Sequence, residues 1–203
     1  METFPRLKKY IETLPAGLSS YSHCQGKASM FAVALKIRPL ASIPPGLPDH
    51  LRVYLETEMP PNRWVRELDY VMFTMAMADI HGFDNAGMRQ FWREVMTHIN
   101  NSAMYGLLFR FLSPRMLVAT VASRWGSFHQ GTTCKAERTP QGMAVTLGYP
   151  KGLFPELILQ GYAGVFDALT THSRLFKGHS EVELIGFDNF EARYVMRDFK
   201  DAP

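Results

Sequence analysis

Thr133-Cys134-Lys135-Ala136-Glu137-Arg138-Thr139-Pro140-Gln141-Gly142-Met143-Ala144-Val145-Thr146-Leu147-Gly148-Tyr149 is the stretch in which the chain changes period. Met143, Val145, Leu147 and Tyr149 alternate with Ala144, Thr146 and Gly148, the two-residue period of a strand with one face on a core. Residues 133–138 read as a partner strand. Thr139-Pro140-Gln141-Gly142 reads as the turn between them, because the fixed φ of proline suits a turn's second position. Upstream of Gly131 the apolar spacing is helical instead. Helices come first and strands after, so the fold class is α+β rather than an alternating α/β chain.

Working outward from this hairpin completes the layout. A helix is expected over 155–169, with Ile158, Tyr162, Val165 and Leu169 on one stripe. Gly161 and Gly164 would let it lie close to the sheet. Strands follow over 181–185 and 190–199, where Ala192, Tyr194 and Met196 face one way and Glu191, Arg193 and Arg197 the other. The C-terminal order is strand–strand–helix–strand–strand, forming one antiparallel sheet. On the other side, the first helix is expected over 4–14, then an extended polar stretch over 18–26. A helix capped by Ser29 follows, and then a proline-rich loop over 39–48. Pro60-Pro61 opens the main helix, because proline is tolerated in a first helical turn. That helix is apolar on two sides, hence central, and Gly82 stops it. Asp84 caps the next helix, a third helix covers 103–112, and Ser113-Pro114 starts a fourth. All of this reads as one domain over 1–203, with a helical half over about 1–131 and a sheet half over about 132–203.

Composition narrows the class of function. The 203 residues are 46% hydrophobic and 20% charged, ordinary values for a folded domain. The net charge is only +3 and no run of Lys or Arg concentrates it, so no nucleic-acid partner is expected. Cys24 and Cys134 are two cysteines, too few for a secreted disulfide framework. The N-terminus lacks the apolar core of a signal peptide. The longest apolar run, 70–80, is too short to span a membrane. The expected location is the cytoplasm.

Chemistry-bearing residues gather once, at Ser123-Arg124-Trp125-Gly126-Ser127-Phe128-His129-Gln130-Gly131, where the last helix meets the hairpin. Arg124 can hold an anionic group by a forked hydrogen bond. Trp125 and Phe128 can wall a pocket, and His129 completes the set. The plain alternative is a helix end whose Arg and His answer the negative dipole terminus. Two His-Cys combinations, His23-Cys24 and His129 with Cys134, number four ligand-type residues but lack the short spacings of zinc sites. Cys24 beside His23 lacks the geometry of a nucleophile next to its base, because neighbours on a strand point to opposite faces. His172 and His179, around Arg174 and Lys177, read as a solvated loop. None of the phosphate-loop, dinucleotide, metalloprotease or hydrolase patterns occurs.

Leu112-Ser113-Pro114-Arg115 opening a helix, Ser127-Phe128-His129-Gln130-Gly131 closing it, and Glu191-Ala192-Arg193-Tyr194-Val195 in the last strand resemble a bacterial, myxobacterial-type paralogous family of unknown function. The layout is similar to the wider group that includes 4-vinyl-reductase-like and haem-nitric-oxide-binding domains. The resemblance implies a domain that binds a small molecule or partner and passes on a signal. A haem-binding member would carry its axial His on the helix before the hairpin, and no His lies in 114–125. The Tyr-x-Ser-x-Arg clamp for the haem propionates is absent as well. No cofactor is therefore expected, with haem and zinc both set aside.

The functional expectation is a non-catalytic sensory or regulatory module that binds a small-molecule ligand or a protein partner through Arg124, Trp125, Phe128 and His129. One alternative is an enzyme assembled from Cys24, Arg124 and His129. The other is a haem- or metal-binding sensor. A homodimer is expected because the helix over 103–112 is apolar nearly all round and would otherwise expose a large patch.

Overall fold

Residues 67–78 are all buried, and they set the centre of the molecule. A computed structural model describes residues 4–40, 42, 44–57, 59, 60, 62–101, 114–140, 142–172 and 182–197, with backbone only at 114–120 and 172. Helix α1 (Pro5–Glu12) is followed by strand β1 (Gln25–Lys27), α2 (Ser29–Ile37), α3 (Asp49–Glu56), β2 (Trp64–Arg66), α4 (Glu67–His81) and α5 (Asn85–Asn100). Then come α6 (Pro114–Phe128), β3 (His129–Gln130), β4 (Thr133–Thr139), β5 (Gly142–Gly148), α7 (Glu156–His172), β6 (Val182–Phe187) and β7 (Glu191–Arg197). The fold is α+β, as the change of period implies. Among the described residues no helix is long and apolar enough to cross a membrane.

The C-terminal strands form one antiparallel sheet in the order β4-β5-β7-β6. Met143, Val145, Leu147, Ala192, Tyr194 and Met196 are all within 1% of full burial. They share one core cluster with Leu7, Leu68, Val71 and Met72 of the helices. Asp84 caps α5 by accepting the Gly87 N–H at 2.8 Å, and α4 ends at Gly82 in the left-handed conformation (φ 68°). Asp79, in the last turn of α4, accepts the backbone N–H groups of Arg6 and Leu7 at 3.0 Å each. It thereby satisfies donors that the first turn of α1 leaves open.

Three expectations are corrected. The main helix begins at Glu67, not at Pro60-Pro61, because Trp64, Val65 and Arg66 pair with Lys27, Gly26 and Gln25 as a strand. A small second sheet, β2-β1-β3, results. Gly161 and Gly164 face α5 rather than the sheet. A Cβ on Gly164 would stand 2.0 Å from the Arg89 carbonyl oxygen, and one on Gly161 would stand 2.6 Å from Trp92. The glycines thus let two helices touch backbone to backbone. A side-chain clamp fixes the contact: the Arg89 guanidinium donates to both oxygens of Asp167 at 2.7 and 3.0 Å and to the Val182 carbonyl at 2.7 Å. Finally, α2 takes no side-chain cap from Ser29, which is already its first residue. The helix expected over 103–112, and with it the argument for a dimer, lies outside the described residues.

Candidate functional site

Trp125 stands in the last turn of α6, and His129, four residues on, opens β3 directly after it. Their rings stack at 4.1 Å and 17°. The Trp125 indole N–H donates to Thr132 Oγ1 at 3.0 Å, which ties the helix end to the start of the hairpin. β1 holds the backbone of β3, with Gly26 opposite His129 and Gln25 opposite Gln130.

His129 Nδ1–H donates to Glu67 Oε2 at 3.0 Å. Glu67 is 0% exposed. It lies in the first turn of α4, where the helix dipole favours a negative charge. Its other oxygen accepts the Tyr162 hydroxyl of α7 at 3.3 Å. One carboxylate therefore joins α4, β3 and α7. Tyr162 is held far above the usual phenol range, by burial first and then by the Glu67 charge, so its hydroxyl stays a proton donor. A buried carboxylate needs such partners, since an unpaired one costs several kcal/mol.

The sequence-derived candidates divide here. Trp125 and His129 belong to this cluster. Arg124 and Phe128 lie on the neighbouring face of α6, half-buried. Cys24 is fully buried and its thiol points to the Gly131 carbonyl at 3.5 Å. Burial first, and Glu67 second, push that thiol up to about 11, which removes the thiolate a nucleophile needs. Burial pushes Cys134 up to about 12. Among the described residues no three His, Cys, Asp or Glu side chains converge. Residues 173–181 of the basic loop lie outside the described residues.

Sequence reasoning missed Glu67, Tyr162 and Thr132. Glu67 did leave a signal: it stands at the head of a helix that is apolar on two sides, and a charge there has to find a partner.

No protein-family profile and no curated protein sequence matches the chain. Solved structures do match. An H-NOX protein from S. oneidensis, in the Fe(II) ligation state, has a TM-score of 0.55 at 11% identity, over 86% of this chain and 98% of its own. An unliganded Fe(II) H-NOX protein from K. algicida gives 0.52 at 12%, over 86% and 97%. A structure from work on haem redox potential and porphyrin distortion gives 0.55 at 8%, over 84% and 96%. At these identities the likeness shows the fold alone, and the similarity of layout to haem-nitric-oxide-binding domains holds at that level. It also corrects the expectation that no cofactor is involved. That expectation set haem aside, yet the structures with this fold are described as haem proteins.

Whether the residues suit a haem can be tested on the donor set. Helix α6 offers no His, so a ligand placed as the resemblance implies is absent. His129 just beyond it does suit. A metal-ligating His typically gives its second ring N–H to a carboxylate or carbonyl, and Glu67 takes that role at 3.0 Å. With Nδ1 turned to Glu67, Nε2 is the ring nitrogen left to face a ligand. Deeper in, an opening between Tyr70, Trp92, Ile158, Gly161, Tyr162 and Val165 admits a single water. That opening is too small to take a porphyrin.

Proposed function

We propose that the chain is a sensory domain on the H-NOX fold, that haem is its ligand, and that His129 presents Nε2 to the iron. The observation that carries this reading is the Glu67–His129 contact, which fixes the tautomer a metal-ligating His requires, in a fold shared with haem proteins. Arg124 would hold a propionate carboxylate, and Trp125 and Phe128 would wall the ring. The Glu67 carboxylate behind the imidazole would make Nε2 a stronger donor and so tune an iron held there. The reading extends to one domain over 1–203, to membership of the bacterial paralogous family, and to a cytoplasmic dimer.

Titrating purified protein with haem tests it by absorption. A saturable Soret band at one equivalent is expected, lost in His129→Ala and weakened in Arg124→Ala. A spectrum no different from free haem would overturn the haem reading. Light scattering of the same sample tests the dimer.

A further inference from the structure

His50 stands at the second position of α3, away from the Glu67 cluster. Its Nε2 is buried and has no hydrogen-bond partner among the described residues. The nearest carboxylate oxygen, Asp69 Oδ1, is 4.0 Å away, too far for a hydrogen bond. Asp69 is 4% exposed and already engaged. It accepts the Tyr54 hydroxyl at 2.6 Å, the Arg66 Nε–H at 3.1 Å and the Arg66 Nη2–H.

Helix α3 lies over an aromatic cluster. Leu51 is its one fully buried residue, and Tyr54 stacks on Phe31 at 4.6 Å and 8°. Phe31 meets the edges of Tyr70 and Phe73. The Tyr54–Asp69 hydrogen bond is the side-chain link from α3 to α4. This eight-residue helix is too short to be stable alone, so it persists by these contacts.

We propose that α3 is an acid-released flap: a proton on His50 loosens α3 from α4 and uncovers the Phe31–Tyr70 aromatic cluster. Neutral imidazole fits its half-buried place. The cation does not, because Nε2–H would be shut off from water beside the Arg66 guanidinium. The carboxylate it faces is already shared by Arg66 and Tyr54. The charged groups around His50 are Asp69 and Arg66 across the interface and Asp49 on its own helix. Burial is the largest effect and holds His50 below the usual histidine range; Arg66 adds to it, and Asp69 and Asp49 oppose it. A lowered value in the packed state means that the packed state binds fewer protons than the released one. The contribution of His50 to holding α3 is therefore complete above about pH 6.5. It is lost as pH falls from there through the lowered value. This inference is independent of haem.

Amide hydrogen exchange of the full chain at about pH 7.5 and pH 5.5, corrected for intrinsic rates, tests it. Residues 49–56 should lose protection at the lower pH, by at most about tenfold, the ceiling that one pH unit of proton linkage sets, while 68–78 keep theirs. His50→Gln should abolish that pH response. His81→Gln should preserve it, although His81 is a second histidine with a buried, unpartnered Nε2. An unchanged response in His50→Gln, or none in the natural chain, would overturn the proposal. Should His50→Gln already be loose at pH 7.5, the ring titration of His50 by NMR decides. A value at or above 6.5 overturns the flap, and one below supports it.

Discussion

The two sheets of this protein are built by different means. In the four-stranded sheet, β4 pairs with β5, and β5 with β7, over seven positions each. The two central strands carry the pattern: β7 alternates buried and exposed residues, and β5, with a strand on each side, is buried over Gly142–Val145. In the three-stranded sheet, β1 pairs with β2 over three positions and with β3 over two. Ladders that short contribute little of their own. What holds β3 is side chains: the Glu67–His129 contact, the Trp125–His129 stack and the Trp125–Thr132 hydrogen bond. The large sheet is a scaffold specified by repeated local pattern. The small one is a junction specified by a few long-range contacts, and it is where the candidate residues Trp125 and His129 meet Glu67.

This contrast predicts unequal responses to mutation. The heaviest loss belongs to the scaffold. Tyr194 is 0% exposed, donates its hydroxyl to the Leu159 carbonyl at 3.0 Å and packs edge-on against Phe166 at 5.0 Å. Tyr194→Ala removes a ring from the centre of the sheet's packed face and should cost about 3–5 kcal/mol by urea denaturation. A loss below about 1 kcal/mol would show that the sheet is not the stable half.

Next comes the backbone of the junction. Gly131 has φ 75°, and a Cβ there would stand 2.7 Å from Cys24 Sγ and from the His23 carbonyl oxygen. Gly131→Ala should cost about 1–2 kcal/mol for the left-handed backbone and about 1–3 kcal/mol for the crowding. Because Cys24 directly precedes β1, the damage should pass to the β1–β3 pairs, read as faster amide exchange at 129–130. If the exchange rises equally at 143–147, the two sheets do not behave separately.

Glu67→Gln sharpens the comparison from the side-chain end. The amide keeps the shape and can still accept from Tyr162, but the buried charge facing His129 is gone. A cost of about 1–3 kcal/mol is expected, with a shift of the Trp125 indole N–H resonance through the stacked His129 ring. Stability lost without any shift at Trp125 would mean that the carboxylate supports α4 and not the junction.

The same division explains what could be read in the sequence. Both hairpins, their shared sheet and the helix between them follow from periods of two and of about 3.6, which are local. The Asp84 cap and the Gly82 stop are local as well. Trp64–Arg66 reads as helix in the sequence because three residues carry no period, and because their partner, Gln25–Lys27, lies far back in the chain. Trp125 and His129 were legible as neighbours on a helix end. Their partner Glu67 was not, because nothing near 67 in the sequence points to 129. The glycines of α7 were legible as sites of close approach, but not which surface they approach. The sequence reading offers the sheet alone, and the two ends of the Arg89–Asp167 clamp that marks α5 lie 78 residues apart.

The smallest effect is expected on the outward face of the scaffold. Arg193 Nη2–H donates to Glu137 Oε1 at 3.1 Å, with the two side chains 50% and 64% exposed. Arg197 and Glu183 pair likewise at 3.0 Å, each 58% exposed. β5 lies between β4 and β7, so the first pair reaches across it, whereas the second joins adjacent strands. Water and salt screen both, and holding long side chains in one rotamer offsets part of the attraction. A double-mutant cycle on Arg193 and Glu137 should give a coupling of about 0.2–1 kcal/mol, shrinking as salt is added. The register of the sheet should not depend on it, because buried alternate residues fix register wherever one face is packed. A coupling well above 1 kcal/mol that persists in high salt would mean that this charged face is covered in solution, and that the scaffold is also a contact surface.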